Sequence, residues 1–130
     1  SLFEMDPRLD GKDVYTNPIY TTDWPDPTIW EGDNRFYSYS TTSLKNIKSI
    51  IASDDMITWY STGIIPFDSE TVDILRSMGS ALWAPDVVYI NGVYLMYITL
   101  HNSSLGQSKI VVMESSDPCG PFYYVDTTFL

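Results

Sequence analysis

Two stretches decide the reading of this chain. They are Trp24-Pro25-Asp26-Pro27-Thr28-Ile29-Trp30 and, sixty positions on from its aspartate, Trp83-Ala84-Pro85-Asp86-Val87-Val88-Tyr89. Each sets a carboxylate beside proline at the mouth of an apolar run of β-branched and aromatic residues, which reads as a β-strand. Proline fixes its own φ and biases the residue before it toward extended geometry, so the backbone around Asp26 is expected to be stiff and extended. A carboxylate held rigidly and flanked by indoles suits gripping or activating a polar ligand.

Working outward, the same series of elements follows both stretches. After the first come a strand at Thr28–Trp30, a hairpin loop over Glu31-Gly32-Asp33-Asn34 and an aromatic strand over Arg35–Thr41. Thr42–Asn46 turns the chain, Ile47–Ser53 is an apolar third strand, and Asp54-Asp55-Met56 is a tight turn before a short outer strand at Thr58–Thr62. After the second stretch, Asn91-Gly92 is the strongest hairpin signal in the chain, followed by strands over Val93–Leu100, Ser108–Ser115 and Phe122–Val125. Pro25-Asp26 is aligned with Pro85-Asp86, Gly32 with Gly92, and Phe36-Tyr37-Ser38-Tyr39 with Tyr94-Leu95-Met96-Tyr97. A repeat of four short antiparallel strands is the mark of propeller blades, and the recurrence of its parts in order favours blades over a β-sandwich. The fold class is therefore all-β, about two four-stranded antiparallel blades. The expected division is an N-terminal arm over residues 1–22, a first blade over 23–65, a connector over 66–81 holding a helical turn or two, and a second blade over 82–130. Two blades cannot close a ring, so the chain is expected to be the N-terminal piece of a longer protein or one of several copies that complete a ring together.

Composition narrows the function. With 44% hydrophobic residues the chain is globular. Seven basic against seventeen acidic residues give a net charge of −10, which argues against nucleic acid and anionic membranes as partners. Aromatic residues at 15%, mostly tyrosine, suit β-structure and carbohydrate contact. A single cysteine, Cys119, excludes an internal disulfide. No apolar run approaches the roughly 20 residues of a membrane span. The chain starts at Ser1, and the expected location is secreted, periplasmic or cell-surface, with a leader removed.

Several motifs in order resemble the family 43 glycoside hydrolases, five-bladed propellers acting on arabinans, xylans and arabinoxylans. Asn17-Pro18-Ile19-Tyr20 followed by Trp24-Pro25-Asp26-Pro27-Thr28-Ile29 resembles that family's opening segment. Ser53-Asp54-Asp55-Met56-Ile57-Thr58-Trp59 resembles its blade turn, and Leu82-Trp83-Ala84-Pro85-Asp86-Val87 its second-blade opening. Gly120-Pro121-Phe122 resembles the turn that closes that blade. The resemblance implies a partial five-bladed propeller and an inverting hydrolase of O-glycosyl bonds. Such an enzyme uses an aspartate base, a pKa-tuning aspartate and a glutamate acid. Of these only the base maps here, onto Asp26; the tuning aspartate and the acid are expected beyond residue 130, which would leave this chain inactive alone. An inverting enzyme needs two carboxyl groups ~6.5–9.5 Å apart, one to protonate the leaving oxygen and one to activate water on the opposite face, so one cannot serve for both.

Each candidate has a plainer alternative. Asp26 as general base stands against an aspartate that caps the turn before a strand. Trp24 and Trp83 as sugar-stacking platforms stand against packing between blades. Asp86 is read as part of the cleft's polar network, contacting substrate or orienting neighbours. His101 reads as a solvated loop histidine, Asp54-Asp55 as a turn rather than a calcium site, and Cys119 as a turn residue without a base beside it. No cofactor is expected and no metal ligands are identified; a structural calcium is compatible with a full-length relative. The expected partners are an oligo- or polysaccharide, and the remainder of the propeller or another copy covering exposed apolar blade faces. The rival function is a non-catalytic carbohydrate-binding propeller module whose chains close a ring by oligomerising.

Overall fold

The computed structural model of the chain describes residues 17–129, so residues 1–16 of the expected arm lie outside the described part. In chain order the elements are β1 (Thr28–Gly32), β2 (Arg35–Tyr39), β3 (Thr42–Ser43), β4 (Ile51–Ser53), β5 (Tyr60–Ser61), α1 (Ser69–Met78), β6 (Ala81–Ile90), β7 (Val93–Asn102), β8 (Gln107–Ser115) and β9 (Tyr123–Phe129). They form two antiparallel sheets, ordered β1-β2-β4-β5 and β3-β6-β7-β8-β9. The first strands of the two meanders, β1 and β6, lie side by side. That arrangement is two successive blades of a partial β-propeller.

Both inner hairpins close on two residues at positive φ, Asp33 and Asn34 in one and Asn91 and Gly92 in the other. Such turns match the right-handed twist of the flanking strands, and Asn, Asp and Gly tolerate the left-handed backbone they require. The outer turns also repeat. Ser53 Oγ accepts from the N–H of Asp55 and Met56, and Asp55 Oδ1 from those of Ile57 and Thr58. In the second sheet Ser115 Oγ accepts from Asp117 N–H, and Asp117 Oδ1 from Cys119 N–H. The Thr58 and Ile57 N–H groups hold the Asp55 carboxyl below its ordinary range. Asp55 is thus occupied in making a turn.

The register corrects the alignment of the halves. Thr28 pairs with Tyr39 and Gly32 with Arg35 in sheet one, whereas Asp86 pairs with Tyr97 and Ile90 with Val93 in sheet two. Asp86 therefore occupies the place of Thr28, not of Asp26, and Gly92 that of Asn34, not of Gly32. The matching prolines are Pro27 and Pro85: the residue before each has positive φ, 49° at Asp26 and 48° at Ala84. The backbone turns on the residue before proline, and the recurring Pro-Asp pair is two residues out of step with it. Gly32 is small for a different reason. A Cβ there would meet Tyr94 Oη at 2.5 Å and Pro118 Cβ at 2.6 Å, so the second sheet approaches it directly.

Between the sheets lies one core. Trp30, Tyr37 and Tyr39 enter it from the first sheet, and Leu82, Met96 and Ile98 from the second. Phe122, fully buried, stands edge-on to Trp30, whose Nε1–H donates to Pro118 O at 2.8 Å. Tyr39, also fully buried, donates its hydroxyl to Lys48 O at 3.0 Å, and burial raises its pKa. The connector holds more helix than a turn or two. Asp68 caps α1 by accepting from Thr71 N–H at 2.9 Å, and Thr71 and Leu75 bury the face one turn apart that packs on β7 and β9. The apolar run before β4 forms less strand than expected, because Lys48 N–H turns back onto Thr42 Oγ1 at 3.0 Å. On the face of sheet two turned away from the core, Val88, Tyr97 and Tyr123 stand exposed. No helix among the described residues is long and apolar enough to cross a membrane.

Candidate functional site

Asp26 sits on the loop that enters β1, exposed, at φ 49° rather than in the extended geometry expected of a residue before proline. Aspartate is one of the few residues whose short polar side chain tolerates that region. The loop is tied to the strand that returns beside it. Pro25 O accepts from Thr41 N–H at 3.0 Å, and Thr41 Oγ1 donates to Asp26 Oδ2 at 3.5 Å. Lys48 clamps the same corner from below: its Nζ donates to Asp23 O at 2.9 Å and to Thr41 O at 3.0 Å, and lies 3.6 Å from Asp23 Oδ2.

The bulged stretch of β6 meets that loop here. Ala84 N–H donates to Thr41 Oγ1 at 3.1 Å, and Thr28 Oγ1 donates to Asp86 Oδ1 at 3.5 Å. Asp26 and Asp86 thus both lie along the seam between β1 and β6, each bonded to its own threonine hydroxyl, Asp26 to Thr41 and Asp86 to Thr28. A concavity of about 320 Å³ lined by Asp23, Pro25, Thr41, Ser43, Lys48 and Ala81 opens on one side of it. A smaller one of about 120 Å³ is lined by Ala84, Asp86, Tyr97 and Thr99.

The two indoles are placed differently. Trp24 is half-buried against the core, donates Nε1–H to Ser38 Oγ at 2.9 Å and carries the Lys48 ammonium 5.4 Å from its ring. It lines an apolar cavity of about 300 Å³ with Tyr20, Pro27, Ile29, Ile51 and Trp59. These contacts are those of a packing residue that anchors the Asp26 loop. Trp83 is 38% exposed and stacks face-on over His101, with centroids 4.0 Å apart and planes at 19°. His101 is therefore not a solvated loop residue: it is the penultimate residue of β7, lies under Trp83, and its Nδ1 is 2.9 Å from Ser108 Oγ. Cys119 is half-buried, and burial pushes its thiol pKa up, away from nucleophile behaviour.

Thr41 and Lys48 are the residues sequence reasoning missed. Lys48 had a signal, a lone cation inside the apolar run Ile47–Ile51. Thr41 had none, since its partner Ala84 lies on the other sheet, 43 residues on.

The family described as Glycosyl hydrolases family 43 matches residues 15–128 of this chain. An arabinan endo-1,5-alpha-L-arabinosidase B of Emericella nidulans is 33% identical over 101 residues, covering 78% of this chain and 24% of the relative. A beta-xylosidase of Formosa agariphila is 28% identical over 119 residues, 86% of this chain and 19% of the relative. The chain thus spans about a quarter or less of the length of these relatives. A thermostable family-43 glycoside hydrolase superposes with a TM-score of 0.69 at 24% identity, over 87% of this chain and 36% of the other. Native Bacillus subtilis arabinanase does so at 0.59 and 23% identity, over 82% and 39%.

Proposed function

The chain belongs to glycosyl hydrolase family 43, and from that premise we propose that it is part of an inverting hydrolase of arabinose- or xylose-containing plant polysaccharides, with Asp26 as the general base. The observation that carries the reading is the setting of Asp26. It is a solvent-exposed carboxylate on a loop pinned by Pro25, Pro27 and Thr41 at the seam of two inner strands, open to water on one side. That is what a base needs in order to draw a proton from water while its own position stays fixed. The relatives named for arabinan and xylose chemistry support the substrate class.

In the proposed reaction Asp26 takes a proton from a water molecule as its oxygen attacks the anomeric carbon. A carboxylic acid on the opposite face of the sugar gives its proton to the departing oxygen. Asp86 and the exposed surface of Trp83 contact the sugar rings, with Asp86 held by Thr28. Trp24 contributes by anchoring the base loop. The acid and the tuning aspartate are assigned to the length that the relatives have and this chain does not, so the chain by itself is not expected to turn over substrate.

The test is Asp26→Asn in a protein that carries this chain together with the rest of such an enzyme. Turnover of arabino- and xylo-oligosaccharides should be lost while circular dichroism and melting behaviour are retained. Near-normal turnover in that variant overturns the assignment.

A further inference from the structure

We propose that Thr41 is a positioning residue for the reaction, a hydroxyl through which the second blade aims the carboxylate of the first. The inference rests on the reading of Asp26 as base. A threonine hydroxyl has one proton to give and two lone pairs to accept with. At Thr41 one lone pair takes the Ala84 N–H at 3.1 Å, and the proton then goes to Asp26 Oδ2, 3.5 Å away. The orientation of that proton is thereby set by the backbone of the other sheet.

Thr41 is itself held at every polar point. Its N–H donates to Pro25 O at 3.0 Å, and its carbonyl accepts from Lys48 Nζ and from Ser40 Oγ, both at 3.0 Å. Its branched β-carbon restricts χ1, which leaves the hydroxyl little freedom. The next residues, Thr42 and Ser43, pair with Leu82 and Ala81 at the start of β6, so the Thr41 backbone is carried on the second sheet's edge.

The donor on the far side is equally constrained. Ala84 has φ 48°, a conformation that costs an L-residue other than glycine, aspartate or asparagine, and it stands where Asp26 stands in the first blade. The second blade keeps the bend, within β6, without the carboxylate, and its turned N–H is spent on Thr41. With Asp26 Oδ2 engaged by Thr41, Oδ1 is left to face water, and a base must present one oxygen to one water in a fixed direction.

The experiment compares Thr41→Val and Thr41→Ser, each beside Asp26→Asn, in a protein carrying this chain within a complete enzyme. Thr41→Val keeps the branched shape and removes the hydroxyl; kcat should fall on the order of 10²-fold, as for a misplaced reacting group, while KM stays near the unsubstituted value. Thr41→Ser restores the hydroxyl and should bring kcat most of the way back. In the 130-residue chain, the Ala84 amide should exchange faster with solvent in Thr41→Val and be protected again in Thr41→Ser. Full kcat in Thr41→Val beside a dead Asp26→Asn overturns the positioning role and leaves the base reading standing. Equal losses in the valine and serine variants, with lowered melting points, also overturn it, because the effect is then steric. An active Asp26→Asn removes the base reading and this inference with it.

Discussion

In the loop before β1 the residue at positive φ is Asp26, exposed and followed by Pro27. Within β6, at the bulge between Trp83 and Asp86, it is Ala84, followed by Pro85, with its N–H turned onto Thr41. Two residues further on the exchange is reversed. Thr28 in the first blade corresponds to Asp86 in the second, and the two are hydrogen-bonded to each other. One backbone frame thus carries its carboxylate at two different depths. In the first blade it projects from the bend; in the second it sits on the strand just past the bulge, opposite Tyr97. The difference teaches that equivalence here resides in the bend before proline, and that the side chain on the bend decides whether a blade offers a reactive group or braces its neighbour.

The largest test of that contrast sets Asp26→Asn against Asp86→Asn in a complete enzyme. Loss of a general base costs about 10²–10⁴-fold in kcat, whereas loss of a carboxylate that contacts sugar should appear mainly in KM. Equal collapse of kcat in both variants would break the distinction. Next in size is Phe122→Ala. Phe122 lies where the sheets meet, so truncation should cost about 3–5 kcal/mol, and denaturant unfolding should remain a single transition followed by tryptophan fluorescence or circular dichroism. Two separated transitions would show the blades to be independent. Ala84→Gly should stabilise the chain by about 0.5–1 kcal/mol, because glycine accepts positive φ without the Cβ penalty while giving back some entropy. Asp26→Gly should gain less, since aspartate already tolerates the bend; chemical denaturation of the two variants measures the gap.

The smallest effect near neutral pH is ionisation. Burial raises the Tyr39 pKa well above the ordinary tyrosine value, and raises those of Tyr37 and Tyr94 to a lesser degree. Their stabilising contribution is fully present below the unfolded tyrosine value of about 10 and is lost as pH climbs through the folded values. Alkaline titration followed by tyrosinate absorbance should therefore show these rings ionising together with unfolding, in both sheets. Free titration of Tyr39 with native circular dichroism retained would contradict its burial.

Local signals in the sequence carried the parts of this fold that are locally determined. Asn91-Gly92, Asp33-Asn34 and the two serine-to-aspartate turns each satisfy their own backbone within a few residues, so residue type predicts geometry. The connector was expected to hold a helical turn or two, yet α1 runs ten residues behind its Asp68 cap, because β-branched Thr71 and Val72 weaken the helical signal that packing on β7 and β9 restores. The register of the repeat was misread at Pro25-Asp26, since the eye aligns identical dipeptides while the chain aligns hydrogen bonds. Asp26 stands out in the sequence by its flanking prolines, but the extended backbone they predict there is a bend at φ 49°. Thr41 was not legible, because its meaning depends on an amide of the other sheet.

The two-residue strand β3 has a consequence for synthesis. Thr42 belongs by sequence to the first blade but finds its partner in Leu82, forty positions later. At about 5–20 residues per second of translation, that partner follows some seconds behind. During that interval the first meander can close its own hairpin, but the corner that holds Thr41 has nothing to dock on. The Asp26 loop is therefore a late product of the ribosome's progress, set in place only when the second blade's inner strand emerges to receive it.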